Sequence, residues 1–349
     1  MNKIIREDCE RILELVGISP LKNSIVILTG SNGLFGSYFV NLIYLANKIK
    51  KLNCKIYCVS MHGPNKFINA LLDDRRIIPL RRDLSKPFSL SYKCDFILHA
   101  ACYAQPKKFI DNKIETINLN VHATNTLLNL AKKNKARFLY FSSGEVYGDI
   151  VKEMVTVQET FNGNCSTINE RAAYGESKRL GETLCSIYKR DYKVKVVIAR
   201  IAHTYGPGLS IFDDRALGNF INKALTQSKI VLLDEGAKIK TFGYIADMVA
   251  MLLTVMLKGK DLIYNISGVD SVSIRQLAEE VAAYCGVPVV LPKRKSNLKH
   301  IGYDTSYLKL DISKFLKEFG NIDFMPLSVG IRRTIDWNKR EFSRFIKSE

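Results

Sequence analysis

With 349 residues, of which 47% are hydrophobic and 25% charged, the chain is long enough to bury a full hydrophobic core, and its composition excludes a disordered or fibrous protein. The formal net charge of +18 favours an anionic partner. However, Lys and Arg are spread over the whole length, which argues against nucleic acid and leaves a small anionic substrate or simply a lysine-rich surface. No apolar run approaches the length of a membrane span, and the eight scattered cysteines form no CxxC pair, so we expect a cytoplasmic protein without disulfides or a bound metal.

The first 23 residues predict a short amphipathic helix that caps the domain after it. Acidic residues such as Glu7 and Asp8 are interspersed with apolar ones such as Ile5 and Ile12, without a signal-peptide core. From Ser24 onward, short apolar runs alternate with longer helical stretches. We predict strands at Ile25–Thr29, Lys55–Ser60, Arg76–Leu80, Asp95–Ala100, Arg137–Ser142 and Lys195–Ile201. This order favours an α/β fold with a Rossmann-type, doubly wound parallel sheet covered by helices on both faces.

A glycine-rich turn follows the first predicted strand. Residues 25–36 read IVILTGSNGLFG, so three glycines lie between a buried strand and a helix predicted over Tyr38–Ala46. Glycines at these places let the backbone turn sharply and approach a pyrophosphate, while the helix N-terminus adds positive partial charge. The turn therefore predicts a bound dinucleotide. Its expected contacts are Gly30, Asn32, Gly33, Leu34, Phe35 and Gly36, with Ser60, Asp83, Leu84, Ala100 and Ala101 at or just beyond the ends of later strands.

The GxxGxxG spacing of this turn resembles the short-chain dehydrogenase/reductase pattern, which implies a nicotinamide cofactor. In that family an acidic residue at the end of the second strand holds the adenosine ribose of NAD. Here the second strand ends in Val59 and Ser60, followed by Met61 and His62, with no Asp, Glu or Arg. We therefore expect NAD as the cofactor, and NADP stays open.

Two later segments carry the expected catalytic chemistry. Tyr174 and Lys178 are four residues apart, so on a helix they share a face, where an ammonium can stabilise a phenolate and lower its pKa. Ser143 lies in the sequence SSGEVYG, at the end of the fifth predicted strand, where ligands of an open α/β sheet gather. The three side chains predict acid–base chemistry beside the dinucleotide.

Beyond about Tyr205 the pattern changes to a longer loop, a helix near Ala216–Thr226, a strand near Ile230 and a mixed C-terminal third, with a return to the main sheet at Asp261–Ser267. We expect an N-terminal helical extension over 1–23 and a cofactor-binding Rossmann domain over 24–202, with returns near 240–267. A substrate-binding region is expected over 203–239 and 268–349. No Pro-, Gly- or Ser-rich linker separates these parts, so the order predicts one interlocked body with a cleft.

Taken together, the motifs resemble the extended, nucleotide-sugar branch of the short-chain dehydrogenase/reductases, the NAD-dependent epimerase/dehydratase family. The resemblance spans about residues 24–335. It includes HAAC at 99–102, NVHAT at 120–124, SSGEVYG, YGESK and the Tyr-Gly-Pro turn at 205–207. It implies a homodimer paired through the helices near Asn120–Lys132 and Tyr174–Tyr188.

The resemblance also implies roles for the catalytic residues. Tyr174 would take the proton of the sugar 4-hydroxyl while C4 is oxidised, and Ser143 would hydrogen-bond the same oxygen. Lys178 would also hold the nicotinamide ribose. The resulting 4-ketone acidifies C5 and can accept the electrons released by loss of a C5 carboxylate, so nearby side chains decide which reaction follows.

Residues 198–249 are similar in style to UDP-glucuronate decarboxylases, which implies decarboxylation with Glu145 in the catalytic set. Relatives that remove water use an adjacent Asp and Glu in this segment, whereas this chain has Gly144 and Glu145, and Gly144 cannot protonate a leaving 6-hydroxyl. A 4-epimerase, which needs only the three side chains named above, stays open. So do a 4,6-dehydratase with an acid from elsewhere and a non-catalytic binding protein that keeps the fold.

The expected substrate is a nucleotide-sugar, with a UDP-sugar preferred, and the expected pathway is the synthesis of cell-surface polysaccharide precursors. Its predicted contacts are Tyr103, Glu145, His203, Arg215, Lys240 and Tyr244. Three positions depart from the decarboxylases: His203 replaces Asn, Lys240 replaces Arg, and Tyr303–Asp311 contains no Arg. Because an ammonium does not replace a guanidinium fork at a bidentate site, a different nucleotide-sugar stays open.

Overall fold

The computed structural model describes residues 1–148, 156–292 and 307–343. Its strands are β1 Ile25–Thr29, β2 Lys55–Ser60, β3 Ile77–Arg81, β4 Phe96–His99, β5 Arg137–Ser143, β6 Lys195–Ile201, β7 His203–Tyr205, β8 Ile230–Val231, β9 Ile239–Tyr244, β10 Ile263–Ile266, β11 Asp270–Ser273, β12 Val289–Val290 and β13 Tyr307–Leu308. Its helices are α1 Lys3–Leu15, α2 Leu34–Ile49, α3 Lys66–Asn69, α4 Pro106–Asp111, α5 Lys113–Asn120, α6 His122–Asn134, α7 Ala172–Tyr192, α8 Ala216–Gln227, α9 Ile245–Lys258, α10 Ile274–Cys285, α11 Ser313–Phe319 and α12 Leu327–Glu341. Residues 303–306, part of the segment noted for its missing arginine, lie outside the described residues.

Seven strands form one parallel sheet in the order β10-β6-β5-β4-β1-β2-β3, which confirms the predicted Rossmann-type architecture. β1, β2 and β6 have the predicted bounds, and β3, β4 and β5 differ from prediction by one residue at one or both ends. The helix predicted from Asn120 begins later. α5 ends at Asn120 and α6 begins at His122, because Val121, with φ −113° and ψ −65°, departs from regular helical geometry.

The central strands are apolar over most of their length because helices cover both faces of the sheet. In β1, Val26 and Leu28 belong to the hydrophobic core on one face, whereas Ile27 belongs to the core on the other. Successive side chains of a strand point to opposite faces, so both must be apolar when neither face meets water. In the described part of the chain, no helix is both long and apolar enough to cross a membrane.

The strand register brings the carboxyl ends of the central strands to one edge of the sheet. Thr29 of β1 lies opposite His99 of β4, and His99 lies opposite Tyr140 of β5. The loops that follow these parallel strands therefore emerge side by side. The glycine turn after β1 and Ser143 at the end of β5 share this edge, as ligand-binding segments of open α/β sheets do.

A smaller sheet forms around β9. This strand pairs antiparallel with β11 and parallel with β7 and β13, while β8 pairs separately with β12. β7 begins two residues after β6 ends, and β10 returns to the main sheet. The chain after β6 thus alternates between the two sheets.

The predicted N-terminal amphipathic helix is present as α1, which packs against α2 and α9. Its Asp8 side chain is buried, with only 1% exposed. The carboxylate accepts hydrogen bonds from Tyr38 of α2 at 2.7 Å and from Tyr244 of β9 at 2.8 Å. It also pairs with Arg333 of α12 at 2.8 Å. One carboxylate therefore ties α1 to three elements that are far apart in sequence.

Candidate active site

Tyr174 and Lys178 lie one turn apart on the face of α7 that packs against β5 and β6. Both side chains are buried. One turn further along α7, Glu182 accepts a hydrogen bond from Ser142 of β5 at 2.6 Å and forms a two-pronged ion pair with Arg200 of β6. This buried polar contact fixes the helix face on the strands, so it sets the positions of both predicted catalytic side chains.

The ammonium of Lys178 is held at the carboxyl end of β5. Its Nζ donates to the carbonyl oxygen of Phe141 at 2.7 Å and lies 5.9 Å from the ring centroid of Tyr174. Burial lowers the pKa of Lys178, and the neighbouring Cys102 and Glu182 oppose that shift. The side-chain nitrogen of Lys178 is therefore held in one place close to the phenol.

The phenol of Tyr174 is enclosed by its neighbours. Burial raises its pKa well above the ordinary value, nearby Cys102 and Glu145 raise it further, and a hydrogen bond with Ser143 lowers it. The ring stacks on Phe109 of α4, with 4.7 Å between ring centroids and 17° between planes. The phenol thus has a fixed orientation beside Ser143. Because burial disfavours the phenolate, Tyr174 needs a positive charge nearby in order to ionise.

Glu145 lies on the short 3-10 turn Gly144–Tyr147 that follows Ser143. The Ser143 hydroxyl accepts a hydrogen bond from the Glu145 backbone N–H at 3.2 Å. The Glu145 carboxylate forms a two-pronged ion pair with Arg171, in which Nε lies 3.2 Å from Oε2 and Nη2 contacts Oε1. Sequence reasoning missed Arg171. Its place three residues before Tyr174, at the start of the same helix, was the available signal.

Basic side chains predicted to contact the substrate gather near this pair. His203 is exposed to solvent on one side, while protein atoms surround the rest of its imidazole. This burial is the largest cause of the lowered pKa of the imidazole, and the charges of Lys240, Arg215 and Arg171 lower it further. Arg215 forms a two-pronged pair with Asp213 at 2.8 and 2.9 Å, and its charge also acts on Tyr174. The region beside the phenol is therefore rich in positive charge, which suits an anionic ligand.

Tyr244 does not join this group, so its predicted contact with the substrate is not supported. Only 2% of the residue is exposed, and its hydroxyl donates to Asp8 and accepts from Arg333 at 2.9 Å. Tyr103 lies nearer the cofactor side. Burial raises the pKa of its phenol, with smaller contributions from the charges of Asp83 and Glu115.

The glycine turn between β1 and α2 has the shape that a dinucleotide requires. Gly30 adopts a φ of +72°, and a Cβ on Gly36 would lie 2.7 Å from the Cα of Ser31 and still closer to the Gly30 carbonyl oxygen. Because its N-cap residue is Gly33, α2 has no capping side chain, which leaves first-turn N–H groups to an anion. The residues of this turn fit the diphosphate of NAD.

The other predicted cofactor contacts surround this turn. Asn32 donates to the carbonyl of Gly63 at 2.7 Å, and Ser60 donates to the same oxygen at 2.8 Å, which closes the loop after β2. Phe35 of α2 packs edge-on against the ring of Phe141 of β5. The remaining ones, Asp83, Leu84, Ala100 and Ala101, follow the ends of β3 and β4. In the three described ranges no group of three His, Cys, Asp or Glu side chains is placed to hold a metal ion.

Comparison with known proteins identifies similar enzymes. The model of the NAD dependent epimerase/dehydratase family matches residues 26–267. UDP-glucuronic acid decarboxylase 6 of Arabidopsis thaliana is 33% identical over 270 residues, which cover 75% of this chain and 77% of that protein. UDP-glucuronic acid decarboxylase 1 of Xenopus tropicalis is 29% identical over 318 residues, which cover 90% of this chain and 72% of that protein.

Solved structures agree on the fold. A dTDP-glucose 4,6-dehydratase from Streptomyces venezuelae, solved with NAD bound, superposes with a TM-score of 0.76 at 22% identity, covering 92% of this chain and 98% of that one. A UDP-glucose 4-epimerase from Thermotoga maritima superposes with a TM-score of 0.74 at 21% identity, covering 91% and 99%. Because these enzymes catalyse different reactions, the likeness speaks for the architecture and leaves the reaction to the side chains.

Proposed function

Because this chain belongs to the NAD-dependent epimerase/dehydratase family, we propose that it is a nucleotide-sugar decarboxylase that acts on UDP-glucuronate. The sugar is oxidised at C4, loses its C5 carboxylate as carbon dioxide, takes up a proton from water at C5, and is reduced again at C4. When NAD, the cofactor of this family, is bound, it supplies the acceptor for the hydride that leaves C4 and later the donor that returns the hydride. No net oxidation results, so the product is UDP-xylose.

The proton chemistry at the 4-hydroxyl belongs to three side chains. Tyr174 takes the proton from this hydroxyl during oxidation and returns it to the same oxygen during reduction, while the Ser143 hydroxyl donates a hydrogen bond to that oxygen. The ammonium of Lys178 lies under the phenol and favours its ionised form. This assignment is supported by the burial of Tyr174 and Lys178 beside the carboxyl end of β5, where Ser143 lies, and by the hydrogen bond that lowers the pKa of Tyr174.

The side chains next to Tyr174 favour decarboxylation over dehydration. Loss of carbon dioxide needs only a ketone beside the carboxylate-bearing carbon, because the ketone accepts the electron pair of the breaking bond. Loss of the 6-hydroxyl as water also needs a proton donor, and Gly144 has no side chain to provide one. The observation that carries the proposal is that the segment after Ser143 offers Gly144 in place of an acid, followed by Glu145, whose carboxylate is paired with Arg171.

The substrate's negative charges suit the basic side chains of the site. We assign the diphosphate and carboxylate to the region beside His203 where the charges of Arg215 and Lys240 act, while the lowered pKa of His203 favours a neutral imidazole that can hydrogen-bond. Tyr103 is placed toward the cofactor side of the sugar. The proposal is supported by the concentration of positive charge here, since a bound dianion would otherwise lose its hydration without compensation.

The test is to incubate NAD-loaded protein with UDP-glucuronate labelled at its carboxyl carbon. We expect labelled carbon dioxide and UDP-xylose in equal amounts. Formation of UDP-galacturonate without carbon dioxide would instead identify a 4-epimerase. Conversion of UDP-glucose to a 4-keto-6-deoxy sugar would identify a dehydratase, and either result contradicts the proposal.

We also propose that the protein works in the cytoplasm as a homodimer and supplies precursors for cell-surface polysaccharide. The dimer proposal is supported by apolar side chains exposed on the two helices beside the site. Ile114 of α5 is 65% exposed, and Leu180 and Tyr192 of α7 are 49% and 48% exposed. Cysteines that are all free in the described structure suit a reducing compartment.

A further inference from the structure

The ion pair between Arg171 and Glu145 is unusually enclosed for two charged side chains. Arg171 is 7% exposed and Glu145 is 23% exposed. The guanidinium meets the carboxylate with both Nε and Nη2, the geometry that gives ion pairs their strongest directional preference. The pair joins the residue before α7 to the turn after β5, so it bridges the two segments that carry Tyr174 and Ser143.

The guanidinium is also fixed relative to the catalytic phenol. The Arg171 guanidinium carbon lies 4.9 Å from the ring centroid of Phe109, and the same ring stacks on Tyr174. A cation over an aromatic face is attracted to it, and the planar stack restricts its movement. Arg171 is thereby held in place by both Glu145 and Phe109.

The two charges of the pair act on different groups of the site. The charge of Glu145 acts on Tyr174, and that of Arg171 acts on His203. A carboxylate without a partner at this position would repel a sugar carboxylate brought to the same cleft, because charge repulsion is weakly screened where protein excludes water. Pairing cancels that repulsion and keeps Glu145 in one orientation.

We propose that Arg171 is a positioning residue that neutralises Glu145, so that the site accepts a sugar bearing a carboxylate. This inference rests on the proposed function, because it concerns how UDP-glucuronate is admitted next to Tyr174. Arg171 acts through Glu145 and does not itself contact the substrate carboxylate.

The test measures affinities rather than turnover. Dissociation constants for UDP-glucuronate and for UDP-xylose, which lacks the carboxylate, are determined by calorimetry on NAD-loaded protein in a Tyr174→Phe background, in which turnover is too slow to consume the ligand during a titration. In Arg171→Gln we expect the affinity for UDP-glucuronate to fall about tenfold more than that for UDP-xylose, because the unpaired Glu145 then repels the carboxylate. In the double variant Arg171→Gln with Glu145→Gln, the selective loss disappears. Arg171→Lys, which keeps the charge, shows a smaller selective loss.

Two further variants keep the test decisive. Glu145→Gln alone preserves the shape of the site, and we expect it to bind UDP-glucuronate several-fold more tightly relative to UDP-xylose, because the site then carries one negative charge fewer. This variant serves if Arg171→Gln fails to fold, and unchanged or weaker relative binding would overturn the proposal. Arg190→Gln removes an exposed arginine of the same helix that pairs with Asp191, and it should leave both affinities unchanged.

Two other results would overturn the assignment. Equal losses for both ligands in Arg171→Gln would mean a general structural role. A selective loss that persists in the double variant would mean that Arg171 contacts the substrate carboxylate directly. A wild-type protein that binds UDP-glucuronate without releasing carbon dioxide contradicts the proposed function but leaves this binding test intact.

Discussion

The hydroxyl of Tyr174 is separable from the packing of its ring. The ring stacks on Phe109, whereas the oxygen interacts with Ser143. Tyr174→Phe therefore keeps the stack and removes only the group that exchanges a proton with the sugar. We expect carbon dioxide release to fall by about 10²- to 10⁴-fold, the usual loss when a general acid–base group is removed.

This prediction has two controls. NAD affinity, measured by fluorescence quenching, should change little, because the glycine turn is untouched. Tyr192→Phe changes a half-exposed tyrosine near the end of the same helix and should retain full activity. Turnover within a few-fold of wild type in Tyr174→Phe would remove this phenol from the mechanism.

Individual site residues differ in how far the sequence predicts them. Tyr174 and Lys178 could be predicted as a pair because helical spacing alone puts them on one face. The contact of Arg171 with Glu145 joins residues 26 apart, and it depends on how the intervening chain folds back. The sequence around Tyr244 says nothing of Asp8, which reaches the Tyr244 hydroxyl from 236 residues away.

At the scale of single elements, the binding of NAD depends on the turn between β1 and α2. In Gly36→Ala the new Cβ would meet the backbone of Ser31 and Gly30, neither of which can move without opening the turn. We expect NAD affinity to fall at least about tenfold and the free energy of unfolding to fall by about 2 kcal/mol. Calorimetric titration and urea unfolding measure these two quantities.

The matched control is Gly17→Ala, where a Cβ would meet no atom within 4 Å. This variant should bind NAD as the wild type does and should be equally stable or slightly more so. If Gly36→Ala also binds NAD normally, the turn does not hold the diphosphate.

Elements buried on both faces were the most predictable. β1, β2 and β6 have their predicted bounds because uninterrupted apolar runs mark strands that are covered on each side. The break between α5 and α6 at Val121 was not predictable, since the surrounding residues continue a helical pattern and the interruption is a matter of backbone angles. The small sheet around β9 was also not predicted, because strands of two to six residues leave little periodicity to read.

At the scale of the whole molecule, Asp8 connects the N-terminal helix to α2, to the smaller sheet around β9 and to α12. Its partners lie on α2, β9 and α12, and Asp8 itself is almost fully buried. Removing one member of such a buried network leaves the others without compensation. We therefore expect Asp8→Asn to lower the free energy of unfolding by about 3 kcal/mol in urea titrations at about pH 5. Glu10→Gln, which alters an exposed pair on the same helix, should change it by less than about 0.5 kcal/mol.

The same carboxylate predicts how this difference depends on pH. Burial raises the pKa of Asp8 above its ordinary value of 3.8, although Arg333 and the two tyrosine hydroxyls oppose the shift. A group whose pKa is higher in the folded state binds its proton more tightly there, so its contribution to stability is fully present below pH 3.8 and is lost as the pH rises through the folded-state pKa. Asp8→Asn has no such proton to bind. The stability advantage of the wild type over Asp8→Asn should therefore be larger at about pH 5 than at about pH 8, as measured by urea unfolding of both proteins in matched buffers. An advantage that grows toward alkaline pH would mean that the ion pair with Arg333 outweighs burial and holds the carboxylate ionised in the folded protein.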